Sequence, residues 1–225
     1  MILHLAAFLL PSAILCGVLI TLGVYPFGTK TLLTIDMSNI YIDYFSTFKD
    51  IFTGKAGFFY SFRKILGGNL TGMYAYYIAS PLNLIFLFFD RKNFDVAVFI
   101  LTEVKIGLCG LTMEIWLSRM KGRHGLLTVV FAACYALATY NLVYQLNIMW
   151  LDSVIVLPLV AMGIEAIVAG KKPTLYLLSL FYAVLIDYYI GYMICIFAVI
   201  WFYYRTLLSV GYAVSPRKRA YLLSA

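Results

Sequence analysis

Residues 2–24 read ILHLAAFLLPSAILCGVLITLGV, an unbroken run with no Asp, Glu, Lys or Arg. About 20 consecutive apolar residues are enough to cross the hydrocarbon core of a bilayer as a helix. The run lacks a basic start, exceeds a signal-peptide core in length and is followed by no small-x-small cleavage site. Leu15 directly before Cys16 also argues against a lipoprotein site. It therefore reads as a retained first membrane helix. Further apolar stretches repeat the theme at about 95–117, 126–143, 151–169, 174–187 and 190–204, the last two joined through Asp187-Tyr188-Tyr189.

Composition agrees. Hydrophobic residues make up 64% of the chain and charged residues 12%, against roughly 45–50% and about 25% in soluble domains. An all-α, polytopic transmembrane helical bundle is the fold class expected, as a single transmembrane domain over residues 1–225. The formal charge of +7 does not point to nucleic acid, because the basic residues sit beside apolar stretches, where they act as topology signals and contacts for anionic lipid. Cys16, Cys109, Cys134 and Cys195 lie within apolar stretches without metal-ligand spacing, and read as packing residues.

Basic clusters fall at Arg119, Lys121 and Arg123, at Lys171 and Lys172, and at Arg205 with Arg217, Lys218 and Arg219. The positive-inside rule places all three on the cytoplasmic side. That leaves 28–93 as an external loop. Within it, the apolar stretch Met73 to Phe89 carries Pro81 and Asn83 and is read as a re-entrant or in-plane helix; a true span with inverted upstream topology is the competing reading.

The same loop holds IDMSNIYIDYFSTFKDIF at 35–52, whose apolar positions recur at helical spacing. Asp36, Asp43 and Asp50 step by seven residues, drifting by only about 20° per step around a helix. An interfacial helix with its aromatic face in lipid and its acidic stripe in water is expected; periodicity alone also fits a plain juxtamembrane helix with a solvated face. Arg63 and Lys64, followed by Gly67-Gly68-Asn69, suit an anionic headgroup, since glycine admits close approach of backbone N–H groups to phosphate. They fit equally an anchor to lipid headgroups. Tyr140, Asn141, Tyr144, Gln145, Asn147, Trp150 and Asp152 gather in one predicted outer loop, and Asp187 in another. Carboxylates at the ends of apolar helices are costly unless they face a wet cavity. Glu114 and Glu165 lie near cytoplasmic ends, where they can snorkel. Glu103 and Lys105, two apart, need partners on other helices.

The segments YPFG (25–28), TLLTIDMSNIYIDYF (31–45), FFYSFRKILGGNLTGMYAYYIASPLNLIFLFF (58–89), YNLVYQLNIMWLD (140–152) and DYYIGYM (187–193) resemble, in order, the YfhO family of bacterial membrane proteins. Family members are several times longer, so the chain is expected to be an N-terminal portion. The resemblance implies a GT-C-like fold and a glycosyltransferase that takes a sugar from a polyprenyl-phosphate carrier and passes it to a cell-surface polymer such as lipoteichoic acid on the outer face of the cell membrane. GT-C enzymes carry an essential acidic residue shortly after the first helix, where Asp36 stands, with Asp43 second. Arg63 and Lys64 become candidates for the carrier phosphate, and Asn69, Asn147, Trp150, Asp152 and Asp187 for the sugar or acceptor. No cofactor is expected, although the resemblance leaves room for a divalent ion; three aspartates at heptad spacing are not a recognisable ligand set. The other function classes are a transporter or flippase of a lipid-linked substrate and a non-catalytic membrane scaffold.

Overall fold

The computed structural model describes residues 2–62, 67–122 and 125–213. It is built almost wholly of helices: α1 (Ile2–Thr21), α2 (Ile42–Phe52), the short turn α3 (Thr71–Met73), α4 (Phe94–Lys121), α5 (Leu126–Ala136), α6 (Thr139–Val143), α7 (Trp150–Val168), α8 (Thr174–Ile186) and α9 (Tyr188–Ala213). One two-residue hairpin pairs β1 (Tyr60–Ser61) with β2 (Gly68–Asn69). Among the described residues four helices are long and apolar enough to cross a membrane: Ile2–Thr21, Arg91–Met120, Trp150–Val168 and Tyr188–Leu208. Leu126–Ala136 and Thr174–Ile186 are shorter apolar helices.

The bundle is laid down by neighbours in sequence. α1 packs along α4 and α5, α4 along α5 and α7, and α7 along α8 and α9. His4 at the start of α1 meets Glu114 near the end of α4, while Leu15, Leu19 and Val24 share a core with Phe99 and Ile106. α1 and α4 are therefore antiparallel, and the described residues between them lie at one end of the bundle. Large apolar side chains such as Leu5, Leu9, Leu178, Phe181, Val199 and Ile200 stay exposed, the faces a membrane helix turns to lipid.

Close helix contact depends on glycine. A Cβ on Gly110 of α4 would stand 2.3 Å from the Ala7 carbonyl oxygen of α1, and one on Gly163 of α7 2.5 Å from the Tyr176 backbone nitrogen of α8. Small residues at such crossings let backbones approach, the main source of packing between helices in lipid. Gly110→Ala is expected to cost about 1–3 kcal/mol by forcing α1 and α4 apart, read as a lower unfolding temperature in detergent; unchanged unfolding would show that the crossing yields freely.

The stretch expected as one span at 126–143 is broken after Ala136. Helix α5 ends there, and Asn141 Nδ2 donates to the carbonyls of Tyr135 and Ala136 at 2.9 and 3.0 Å, satisfying groups that the helix end leaves free. Residues 73–89 form no continuous helix. A π turn at Tyr74–Ile78 gives way at Ser80 to a 3-10 segment at Pro81–Leu87. The Ser80 side chain accepts from Leu82 N at 3.3 Å, and Pro81, lacking an N–H, starts the new segment as proline does at a helical first turn.

The amphipathic helix is present as a π turn at Met37–Tyr41 running into α2, but its surroundings differ from expectation. Its aromatic face is covered by protein rather than lipid: Met37, Tyr41, Phe45 and Phe48 share a core with Leu70, Met73, Ile78, Phe86 and Phe94. Phe45 and Phe86 stack with centroids 4.0 Å apart. The acidic stripe is not wholly in water either. Asp43 is exposed and Asp36 half-buried, whereas Asp50 is 1% exposed in an ion pair with Arg91. Lys49 Nζ donates to the carbonyls of Leu87 and Phe89. Together Lys49 and Asp50 fasten α2 to the segment before α4. Glu114 likewise does not snorkel; it is fully buried, bonded to His4 and accepting from Thr128 Oγ1 at 3.3 Å.

Candidate active site

Asp36 is delivered by a strained residue. Ile35 has φ 50°, a left-handed conformation that a β-branched side chain adopts only when its surroundings enforce it. Such strain gathers where a backbone position serves a site. The next residue, Asp36, opens the Met37–Tyr41 turn without capping it, and its carboxylate accepts no hydrogen bond among the described residues. One helical turn and more along, Asp43 lines a cavity of about 690 Å³ with Asn39, Thr47, Ser61 and Tyr77. Its carboxylate too is uncommitted among the described residues. Two ionisable groups free of structural duty thus stand on one face of the 37–52 helix.

An aromatic chain runs from that cavity across the end of the bundle. Tyr77 lies 4.8 Å from Tyr44, 5.4 Å from Tyr41 and 4.6 Å from Tyr76, ring centroid to ring centroid. Tyr76 then meets Tyr188 at 5.5 Å and accepts from Trp150 Nε1 at 3.3 Å. Trp150 continues to Tyr189 at 6.0 Å and to Tyr144 at 5.5 Å. Burial first, and then the Asp36 charge, pushes the Tyr41 hydroxyl well above its ordinary range. Tyr77 is raised chiefly by burial, with smaller contributions from Tyr44, Tyr76 and Asp36. These phenols stay protonated and act as hydrogen-bond donors on apolar rings, a surface with both a flat greasy face and polar edges.

Asp187 closes the far end of this chain. It is fully buried; one oxygen accepts from the backbone N–H groups of Tyr189 and Ile190 at 2.9 and 3.3 Å, capping α9. Its Oδ2 has no partner among the described residues.

Of the other sequence candidates, Asp152, Asn147 and Asn69 make structural contacts. Asp152 is 2% exposed and Lys105 is fully buried. The two form an ion pair, Ser80 Oγ donates to the second carboxylate oxygen at 2.8 Å, and Lys105 also donates to the Ile148 carbonyl at 2.9 Å. Asn147 accepts from Tyr41 Oη at 2.8 Å, tying the π turn to the loop before α7. Asn69 Oδ1 accepts from Thr71 N at 2.6 Å, shaping the turn after β2. Trp150 belongs to the aromatic chain. Arg63 and Lys64 lie outside the described residues. Among the described residues no three His, Cys, Asp or Glu side chains come together as ligands of a metal would.

Sequence reasoning missed Ser80, Tyr76, Tyr77 and Tyr188, and gave Tyr41 and Tyr44 only an apolar role. The clustering of tyrosines in YAYY at 74–77 and DYY at 187–189 was the available signal.

The fold and this site define an all-α membrane protein with an acidic, tyrosine-lined recess at one end of its helix bundle. The model of the family "Bacterial membrane protein YfhO" matches residues 6–223, and the chain belongs to that family. Neither the curated proteins nor the solved structures compared contain a match.

Proposed function

We propose that the chain carries the catalytic face of a multi-pass membrane glycosyltransferase. It moves a sugar from a polyprenyl-phosphate carrier to a polymer of the bacterial cell surface, such as lipoteichoic acid, with its active face outside the membrane. The observation that carries this reading is the pair of carboxylates, Asp36 and Asp43, uncommitted among the described residues: Asp36 follows the strained Ile35, and Asp43 lines the recess. Asp36 takes the proton of an acceptor hydroxyl, that oxygen bonds to the anomeric carbon, and the bond from that carbon to the carrier phosphate breaks, the electron pair leaving with the phosphate. Arg63 and Lys64, by their place in the sequence, supply the positive charge that a departing phosphate requires. Trp150 and the tyrosines offer rings and hydroxyls to the sugar, and Asp187 Oδ2 offers an acceptor for a sugar hydroxyl. Asp152, Asn147 and Asn69 hold these groups in place. Arg119, Lys171 and Arg205 at the opposite end of the bundle support an outward-facing recess.

Cells lacking the protein are expected to lose the sugar substituent of a surface polymer, measured by composition of the purified polymer, with recovery when the protein is restored. Unchanged sugar content across all surface polymers would sink the transferase.

A further inference from the structure

At the end of the bundle away from the recess, α4, α7 and α9 leave a pocket of about 610 Å³ between them, bounded also by the turn into α8. Three cations line it: Arg119, Lys171 and Arg205. Against them stands one carboxylate, Glu165, already bonded to Arg205 Nε at 2.7 Å and to Trp201 Nε1 at 3.2 Å. The remaining cations meet no carboxylate among the described residues. Arg119 donates to the thioether of Met162 at 2.8 Å, a weak acceptor for a guanidinium, and Lys171 Nζ meets no acceptor among the described residues. In the same pocket, the indole N–H of Trp116 is buried without a partner among the described residues. Leaving a buried donor unmet is costly, and it is held where the charge of the pocket is already positive by two uncompensated cations.

We propose that this pocket binds the phosphate of an anionic membrane-lipid headgroup. Arg119 and Lys171 contact the phosphate oxygens and Trp116 Nε1 donates to the headgroup. Basic pockets between membrane helices at the positive end suit such headgroups. The lipid source, rather than a soluble phosphate, follows from position: the pocket opens at the ends of apolar helices, and Leu175, Met120 and Ala166 share its wall, so an acyl chain leaving the headgroup runs down an apolar surface. The pocket lies outside the acidic recess and its occupancy does not depend on sugar transfer.

The test uses the purified chain in an uncharged detergent, with bound phosphatidylglycerol counted by native mass spectrometry against phosphatidylcholine and inorganic phosphate. Phosphatidylglycerol is expected to bind in preference to phosphatidylcholine. The Arg119→Gln/Lys171→Gln double variant is expected to lose affinity by about twenty-five-fold, roughly fivefold for each cation. Trp116→Phe, which keeps the ring and removes the N–H, is expected to lose about tenfold. Lys171 is exposed and pairs with no described residue, so Lys171→Glu reads the charge should the double variant unfold. Equal binding of the two lipids, or undiminished binding by these variants, overturns the site. Displacement of the lipid by an equal concentration of inorganic phosphate reassigns it to a soluble anion and overturns the lipid proposal.

Discussion

Asp36→Asn is expected to lower sugar transfer by about 10²- to 10⁴-fold, the range contributed by a positioned general base, while the protein inserts and folds as before. The substitution keeps shape and removes the lone function of a carboxylate. Because no described residue bonds to Asp36, its loss leaves no partner stranded, and the stability change should stay within about 0.5 kcal/mol. A base acts only as the hydroxyl proton departs, so kcat and kcat/KM should fall together, with acceptor KM little changed. Asp43→Asn, about two turns further along and lining the cavity, should instead raise KM if it orients the acceptor. Transfer by the Asp36→Asn protein at the wild-type rate, with normal protein levels, rules Asp36 out as the base and leaves Asp43 as the next carboxylate to test.

Helix content and helix positions were legible because lipid imposes long apolar runs, and these are visible without knowing what packs on what. What packs on what was not legible. Met37, Tyr41, Phe45 and Phe48 have the spacing of a membrane-facing stripe, but periodicity cannot say whether lipid or protein covers it. Here residues 70–87 do, in a run of π and 3-10 turns that no period of 3.6 announces. Asp50 shared the stripe of Asp36 and Asp43 in register, yet its location beside Arg91 makes it an anchor. The distinction needed the fold that brings together two residues 41 apart in sequence. The break at Ala136 was hidden for a related reason, since Asn141 looks like an ordinary loop residue until its amide is seen on two helix-end carbonyls. Asp36 was singled out because a family pattern marks the position after the first helix; the strained Ile35 beside it leaves no trace in sequence.

Lys105 and Asp152 show the same limit and lead to the largest expected effect on stability. Each sits in an apolar helix, and each needs an opposite charge, but 47 residues separate them and only the α4–α7 packing brings them together. Removing one partner strands the other charge in a dry interior, at a cost of about 3–5 kcal/mol. Lys105→Met is therefore expected to unfold the protein at a markedly lower temperature in detergent and to reduce its yield from membranes. The double substitution Lys105→Met/Asp152→Leu removes both charges, and it should recover much of that loss, because a buried pair replaced by packed apolar groups is often neutral. Ser80 Oγ would then lose its acceptor, so recovery should be incomplete by about 1 kcal/mol. The two variants separate a holding role from a substrate-binding one. If the double variant folds and still transfers sugar, Asp152 serves the frame that keeps the 80–87 segment against α7. If it folds but no longer transfers sugar, the carboxylate reaches substrate. A Lys105→Met protein as stable as the wild type would mean that water reaches the pair and that α4 and α7 are held by their apolar contacts alone.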